Sequence, residues 1–214
     1  MQVKICGLMR LQDVNAALKE GADAFGFVVR SPSSPRNLPF SKANKLMRAV
    51  GVFSTKVAVT SAHGTGDVLK ICREVKPDAL QLHYHTPQLI QVLRKKQPDT
   101  KLIVATPIRD ASSIARAKLS SHRCDAILAD SPSSTGLGGT GKVHNWRLTA
   151  RIRNAVYPHP LILAGGLTAK NVAAAIAEVK PYAVDVSSGV ERSVGIKDHE
   201  KIRWFIMNAK GAAS

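Results

Sequence analysis

The sequence predicts an α/β protein of the (β/α)8 TIM-barrel class, and three observations carry that reading. Short apolar, β-branched runs alternate with longer helical patterns along the whole chain, which indicates βαβ units and a parallel sheet. Eight such units of roughly 27 residues fill the 214-residue chain, near the short end of the size range of this barrel. Chemistry-bearing residues end two of the apolar runs: Cys6 closes Val3-Lys4-Ile5-Cys6, and Asp130 closes Ile127-Leu128-Ala129-Asp130. In a barrel of this kind the strand C-termini and the loops after them build the active site. An open doubly wound sheet is the runner-up.

The expected strands are Val3–Cys6, Ala24–Val29, Lys56–Val59, Ala79–His83, Leu102–Thr106, Ala126–Asp130, Leu161–Ala164 and Ala183–Ser187. The expected helices are Leu11–Glu20, Phe40–Val50, Gly66–Val75, Pro87–Lys96, Ser112–Leu119, Trp146–Val156, Ala169–Val179 and His199–Ala209. No linker, low-complexity tract or charge block divides the chain, so a single domain over 1–214 is expected. The irregular stretches Ser31–Pro35 and Ser131–Gly141 both follow strands, which assigns them to the catalytic face.

Composition narrows the partners. Lys and Arg number 31 against 15 Asp and Glu, a formal charge of +16 that attracts anions. Aromatics are only 5% and the basic residues are scattered, which argues against a nucleic-acid platform. A basic binding protein on a catalytically dead barrel is the competing class. Cys6, Cys72 and Cys124 are far apart with no CxxC, so neither a disulfide framework nor a zinc site is legible. Free thiols and the lack of a secretory h-region point to the cytoplasm. No apolar run approaches the ~18 residues a membrane span needs. Cys72 fits the core face of a helix, and Cys124 reads as equally inert.

Three glycine loops follow strands. Gly136-Leu137-Gly138-Gly139-Thr140-Gly141-Lys142 matches G-x-G-x-x-G, but Val143 stands where a Walker motif needs Ser or Thr. No acid stands about 20 residues on, as a dinucleotide site needs. A nucleotide cofactor is therefore not expected, and an active-site loop is the better reading. Ala164-Gly165-Gly166-Leu167 and Ser187-Ser188-Gly189-Val190-Glu191 follow the seventh and eighth expected strands, where barrels often hold phosphate. The first should open a helix near Thr168, whose N-terminus would favour an anion. Two ordinary tight turns would give the same pattern.

Taken together, these segments resemble the phosphoribosylanthranilate isomerase family of tryptophan biosynthesis. The matching pieces are Lys4-Ile5-Cys6-Gly7, Ser34-Pro35-Arg36, Gln81-Leu82-His83, Leu128-Ala129-Asp130 with Gly138–Lys142, Ala164–Leu167 and Asp185–Glu191, in the family's order over essentially the whole chain. The resemblance implies a cofactor-free and metal-free barrel that performs an Amadori rearrangement on a small anionic phosphorylated substrate. It implies Asp130 as general acid and Cys6 as general base. Arg36 would receive the anthranilate carboxylate, Asp185 would lie near the ribose hydroxyls, and Gln81 and His83 would line the pocket. Gly165, Gly166, Ser187, Ser188 and Gly189 fall in the phosphate loops. A monomer or a homodimer is expected. One departure is Tyr84-His85, where the family usually has glycine; two rings there would narrow the sugar side of the pocket.

Strand periodicity adds one expectation. Side chains two apart share a face, so if Cys6 points inward Lys4 does too, and Asp185 does with Ser187; the alternative is that Lys4 points outward and snorkels between helices. The first and eighth strands are neighbours in a closed barrel, so Lys4 and Asp185 should form a buried ion pair beneath the site. That cation should also lower the pKa of Cys6.

Overall fold

The computed structural model describes residues 1–131 and 143–212. Eight parallel strands close on themselves: β1 (Gln2–Ile5), β2 (Ala24–Val28), β3 (Thr55–Thr60), β4 (Ala79–Leu82), β5 (Lys101–Pro107), β6 (Ala126–Asp130), β7 (Leu161–Leu163) and β8 (Ala183–Val186). The ring closes through β1 and β8, with Lys4 opposite Asp185. The helices between strands are α1 (Leu11–Lys19), α2 (Phe40–Met47), α3 (Thr65–Val75), α4 (Pro87–Lys96), α5 (Ser112–Ser121), α6 (Trp146–Val156) and α7 (Val172–Val179), and α8 (His199–Gly211) follows β8.

Period-two alternation sorts the strand side chains into two cores. Outward residues such as Ile5, Phe25, Phe27, Leu80, Leu82, Ile127 and Val184 pack under the helices. Inward ones such as Cys6, Val28, Val59, Ala105, Leu128 and Ala164 fill the barrel. Phe25 and Phe27 are completely buried. Truncating either to Ala should cost about 3–5 kcal/mol, the usual loss for a core aromatic. Helix starts follow local chemistry. Thr86 caps α4 by accepting from the Leu89 N–H at 3.1 Å, with Pro87 in the first turn. Asn145 caps α6 and Asp198 caps α8 in the same way.

Two differences from the expected elements matter for the site. The helix after Gly165-Gly166 begins at Val172 rather than near Thr168. Asn171 accepts from the Thr168 N–H at 2.7 Å and donates to the Gly166 carbonyl at 3.0 Å, so a side-chain-held turn occupies that stretch. After β8 the chain makes a 3-10 turn over Ser188–Val190 and then a small antiparallel hairpin of β9 (Glu191–Ser193) and β10 (Ile196–Lys197). None of these three elements is legible as periodicity, because each is only two or three residues long. Among the described residues no helix is long and apolar enough to cross a membrane.

Candidate active site

One pocket opens among the strand C-termini. Its lining includes Cys6, Arg36, Gln81, His83, Asp130, Gly165, Gly166, Asp185, Ser187, Ser188 and Gly189, together with Ser34, Val28, Val59 and Leu167. Residues from β1, β2, β3, β4, β6, β7 and β8, or the loops after them, thus converge on one space. The loop Gly136–Lys142 lies outside the described residues.

Cys6 extends the β1 ladder by donating its N–H to the Val186 carbonyl at 2.8 Å. Its thiol faces inward beside Gly26 of β2. A Cβ at Gly26 would come within 2.8 Å of Cys6 Sγ, so the glycine makes the space for the sulfur. The side chain of Cys6 is buried. That burial pushes its pKa above the ordinary thiol value; Lys4 and Lys197 pull it down, and Asp185 pushes it up again. The expectation of a thiol poised low is therefore corrected. Lys4 acts in the anticipated direction, but desolvation outweighs it.

Lys4 and Asp185 do form the buried pair. Lys4 Nζ lies 2.9 Å from Asp185 Oδ2, with side-chain exposures of 3% and 9%. The same ammonium donates to Gln81 Oε1 at 2.9 Å, and Gln81 Nε2 lies 3.3 Å from His83 Nε2. Burial works against the charge on Lys4, but Asp185 and Cys6 hold its pKa above the ordinary value. The Oδ1 atom of Asp185 is buried without a hydrogen-bond partner.

Asp130 is the last residue of β6, and its Oδ1 accepts from the Ser131 N–H at 2.8 Å. Burial, and then the neighbouring Asp185 charge, push its pKa up to about 6, against a smaller pull from the Ser131 amide and Lys4. An appreciable fraction of Asp130 thus holds its proton near neutrality, as a general acid must. Gly165, at φ +81°, sits against Asp130 and Ser131, where a side chain would collide with both. Behind them His144 bridges Ser131 Oγ (3.1 Å) and Thr149 Oγ1 (2.8 Å). Burial lowers its pKa to about 4, so it stays neutral.

Arg36 is carried by the loop after β2. That loop is tied by the Ser31 N–H to Asn37 Oδ1 at 2.9 Å and by the Arg36 N–H to Ser34 Oγ at 3.2 Å. The stem of Arg36 crosses Gly7, whose φ of +71° and missing Cβ leave room for it. Its Nε and Nη2 donate to Glu191 Oε1 and Oε2 at 2.8 and 2.6 Å. Glu191 and its second cation, Lys197, belong to the hairpin that periodicity could not reveal. The one turn signal for it in the sequence is Val194-Gly195 between the two short strands, where Gly195 takes a φ of +76°.

The loops after β7 and β8 line the pocket: Gly165 and Gly166 both have positive φ, and a 3-10 turn runs over Ser188–Val190. Gly189 abuts the Leu167 carbonyl, with no room for a side chain, which locks the two loops together. Tyr84 and His85 do not narrow this pocket. Tyr84 stacks on His63 with ring centroids 4.1 Å apart, and His85 points to Ser120. Cys72 and Cys124 are buried away from the site, with thiols raised by burial.

A family model described as N-(5′-phosphoribosyl)anthranilate (PRA) isomerase matches residues 3–208. The chain belongs to this family. It is 43% identical over 210 residues to N-(5′-phosphoribosyl)anthranilate isomerase of Methanothrix thermoacetophila, covering 98% of each chain. A crystal structure of phosphoribosyl anthranilate isomerase in complex with reduced 1-(o-carboxyphenylamino)-1-deoxyribulose 5-phosphate superposes with a TM-score of 0.84 at 34% identity, over 99% of both chains. A structure of mutually generated monomers of the dimeric enzyme from Thermotoga maritima gives 0.85 at 33% identity, again over 99% of both chains.

Proposed function

We propose that this chain, as a single barrel domain, isomerises N-(5′-phosphoribosyl)anthranilate to 1-(2-carboxyphenylamino)-1-deoxyribulose 5-phosphate, a step of tryptophan biosynthesis. The observation that carries the mechanism is a carboxylic acid with its pKa raised to about 6 and an inward thiol lining one pocket. An aldose-to-ketose shift needs one acid and one base across a small sugar.

Asp130 donates its proton to the furanose ring oxygen. The C1′–O bond breaks, and the anilino nitrogen lone pair forms an iminium. Cys6, as thiolate, then removes the C2′ proton, and those electrons neutralise the iminium to give the enolamine. Loss of the enol O–H proton and protonation at C1′ complete the ketose. In the resting enzyme Cys6 is mostly the neutral thiol because it is buried; the fraction that has released its proton to solvent carries the reaction, and the cationic iminium favours that thiolate at the step that needs it.

Binding follows the same map. Arg36 meets the anthranilate carboxylate, since a guanidinium suits a planar carboxylate. A ribose hydroxyl donates to the otherwise unpartnered Oδ1 of Asp185. The phosphate rests on the backbone of Gly165, Gly166, Ser188 and Gly189, with Ser187 beside it. The residues need neither metal nor redox cofactor for this chemistry. The setting we infer is the reducing cytoplasm, where three free cysteines persist. The test is turnover of N-(5′-phosphoribosyl)anthranilate by the purified chain, followed as formation of the ketose. Turnover that disappears in Asp130→Asn is expected; a folded wild-type chain without turnover refutes the reading.

A further inference from the structure

Outside the barrel interior, the described residues hold a second buried charge cluster, of which the binding map above uses only Arg36. Its members are Arg36, Glu191 and Lys197. Lys197 has a side-chain exposure of 0%, Glu191 6% and Arg36 11%. Lys197 Nζ donates to Glu191 Oε1 at 3.0 Å and to the Ser187 carbonyl at 3.0 Å. Glu191 in turn takes the Nε and Nη2 of Arg36.

The charges do not cancel. Two cations share one carboxylate, so the cluster carries one positive charge in a dry place with Lys197 protonated; burial, and then Arg36, lower the Lys197 pKa, and Glu191 opposes them. A fully buried lysine is costly, and a lone Arg36–Glu191 pair would have been neutral. Burial alone would raise the Glu191 carboxyl, but Arg36 and Lys197 hold it below the usual carboxylate range, so it stays ionised. With Glu191 occupied by Lys197, its negative charge is shared, and Arg36 faces the pocket with charge to spare.

The hairpin that carries Lys197 is itself anchored. Asp13 of α1 is completely buried. It accepts from Arg10 at 2.6 and 2.8 Å and contacts His199 Nε2 at 2.9 Å and the Lys197 N–H at 3.4 Å. Lys201 Nζ donates to the Glu191 carbonyl at 2.8 Å. The ammonium of Lys197 is therefore fixed in place.

We propose that Lys197 is a specificity-determining positioning residue: it offsets Glu191 so that Arg36 presents one net positive charge, and the substrate's carboxylate completes the cluster. This rests on the reading of Arg36 as the carboxylate-binding residue. It predicts discrimination, by carboxylate, between N-(5′-phosphoribosyl)anthranilate and N-(5′-phosphoribosyl)aniline, which lacks that group.

Four folded variants, checked by thermal melting, test it. Lys197→Gln retains an N–H donor toward Glu191 and Ser187 but removes the charge. It should raise KM for the anthranilate compound at least about tenfold, the size of a lost charge-assisted contact, while KM for the aniline compound hardly moves; Lys197 also favours the Cys6 thiolate, so any loss of kcat should be the same for both compounds. Lys197→Met should do the same, and Lys197→Gln serves if the Met variant does not fold. Lys197→Gln combined with Glu191→Gln restores one net positive charge, so KM for the anthranilate compound should return most of the way. An equal KM rise for both compounds, or a double variant worse than the single one, overturns the proposal. Arg36→Met separates the two levels. If it also treats both compounds alike, the carboxylate reading itself fails; if it discriminates and Lys197→Gln does not, the inference about Lys197 alone falls.

Discussion

One layer below Cys6, Lys4 and Asp185 close on each other: one cation, one anion and the Gln81 amide, all buried on strands. At the barrel mouth, Arg36, Glu191 and Lys197 do not close: two cations, one anion, all on loops and a short hairpin. The neutral cluster sits on rigid elements and shapes the pocket floor. The charged one sits on connecting segments, with a deficit that a ligand can fill. Burial makes both expensive to break; the first meets the substrate through the free Oδ1 of Asp185, and only the second offers an unbalanced charge to its carboxylate.

The contrast is sharpest in stability. Lys4→Met strands the buried carboxylate of Asp185 and should cost about 3–5 kcal/mol, the usual penalty for breaking a buried pair from one side. Denaturant unfolding measures it. A loss under about 1 kcal/mol would mean that Asp185 finds water or another donor, and the floor is not a closed pair.

Chemistry comes next in size. Asp130→Asn and Cys6→Ser should each lower kcat by at least ~10²-fold, a typical share for a positioned acid or base. Near-wild-type turnover in either variant removes the role assigned to that residue.

Asp130 also carries a stability cost of its own. Its folded pKa is about 6, above the ordinary carboxylate value, so the folded state holds the proton more tightly than the unfolded chain. The favourable contribution is complete below pH ~4 and is lost as pH rises through about 6. Asp130→Asn should therefore be about 2–3 kcal/mol more stable than wild type at pH 7, at 1.36 kcal/mol per unit, and the gap should close by pH ~4. A pH-independent gap would mean that the carboxyl is not buried as described.

The smallest effect is long-range. With a formal charge of +16, kcat/KM for a substrate that carries both a phosphate and a carboxylate should fall a few-fold as ionic strength rises past the range where the Debye length is ~10 Å, while kcat stays flat. A salt-independent kcat/KM would make the charge a surface property and leave capture to the Arg36 cluster alone.

These two clusters also mark how far the sequence could be read. The strands and helices of the barrel are legible because each runs long enough to show its period: α4, α6 and β6 fall on the expected residues. The Lys4–Asp185 pair is legible for the same reason, since register and period two suffice to place both side chains. Cys6 and Asp130 are visible as strand-end residues, and the family resemblance supplies their roles. The Arg36–Glu191 contact is not legible, because it joins a loop to a hairpin 155 residues away and no periodicity spans that gap. The state of Cys6 is misread for a related reason. A nearby lysine is visible in sequence, but the desolvation that overrides it depends on packing by β2 and β8.

Proton delivery by Asp130 and removal by Cys6 are tested most directly by the pH profile of kcat/KM in wild type and Asp130→Asn. The working form has Asp130 protonated and Cys6 ionised, the reverse of each group's preferred state at neutrality. Below pH 6 the protonated fraction of Asp130 is near one and the rate climbs with thiolate. Between about 6 and the raised thiol pKa the two fractions offset each other and the profile is flat; above it the rate falls. Asp130→Asn should lose the break near 6, so that its much lower rate keeps climbing until Cys6 is ionised. Any break from the substrate's own phosphate, which also titrates near 6, would appear in both proteins. An unchanged plateau in Asp130→Asn would contradict proton delivery by Asp130.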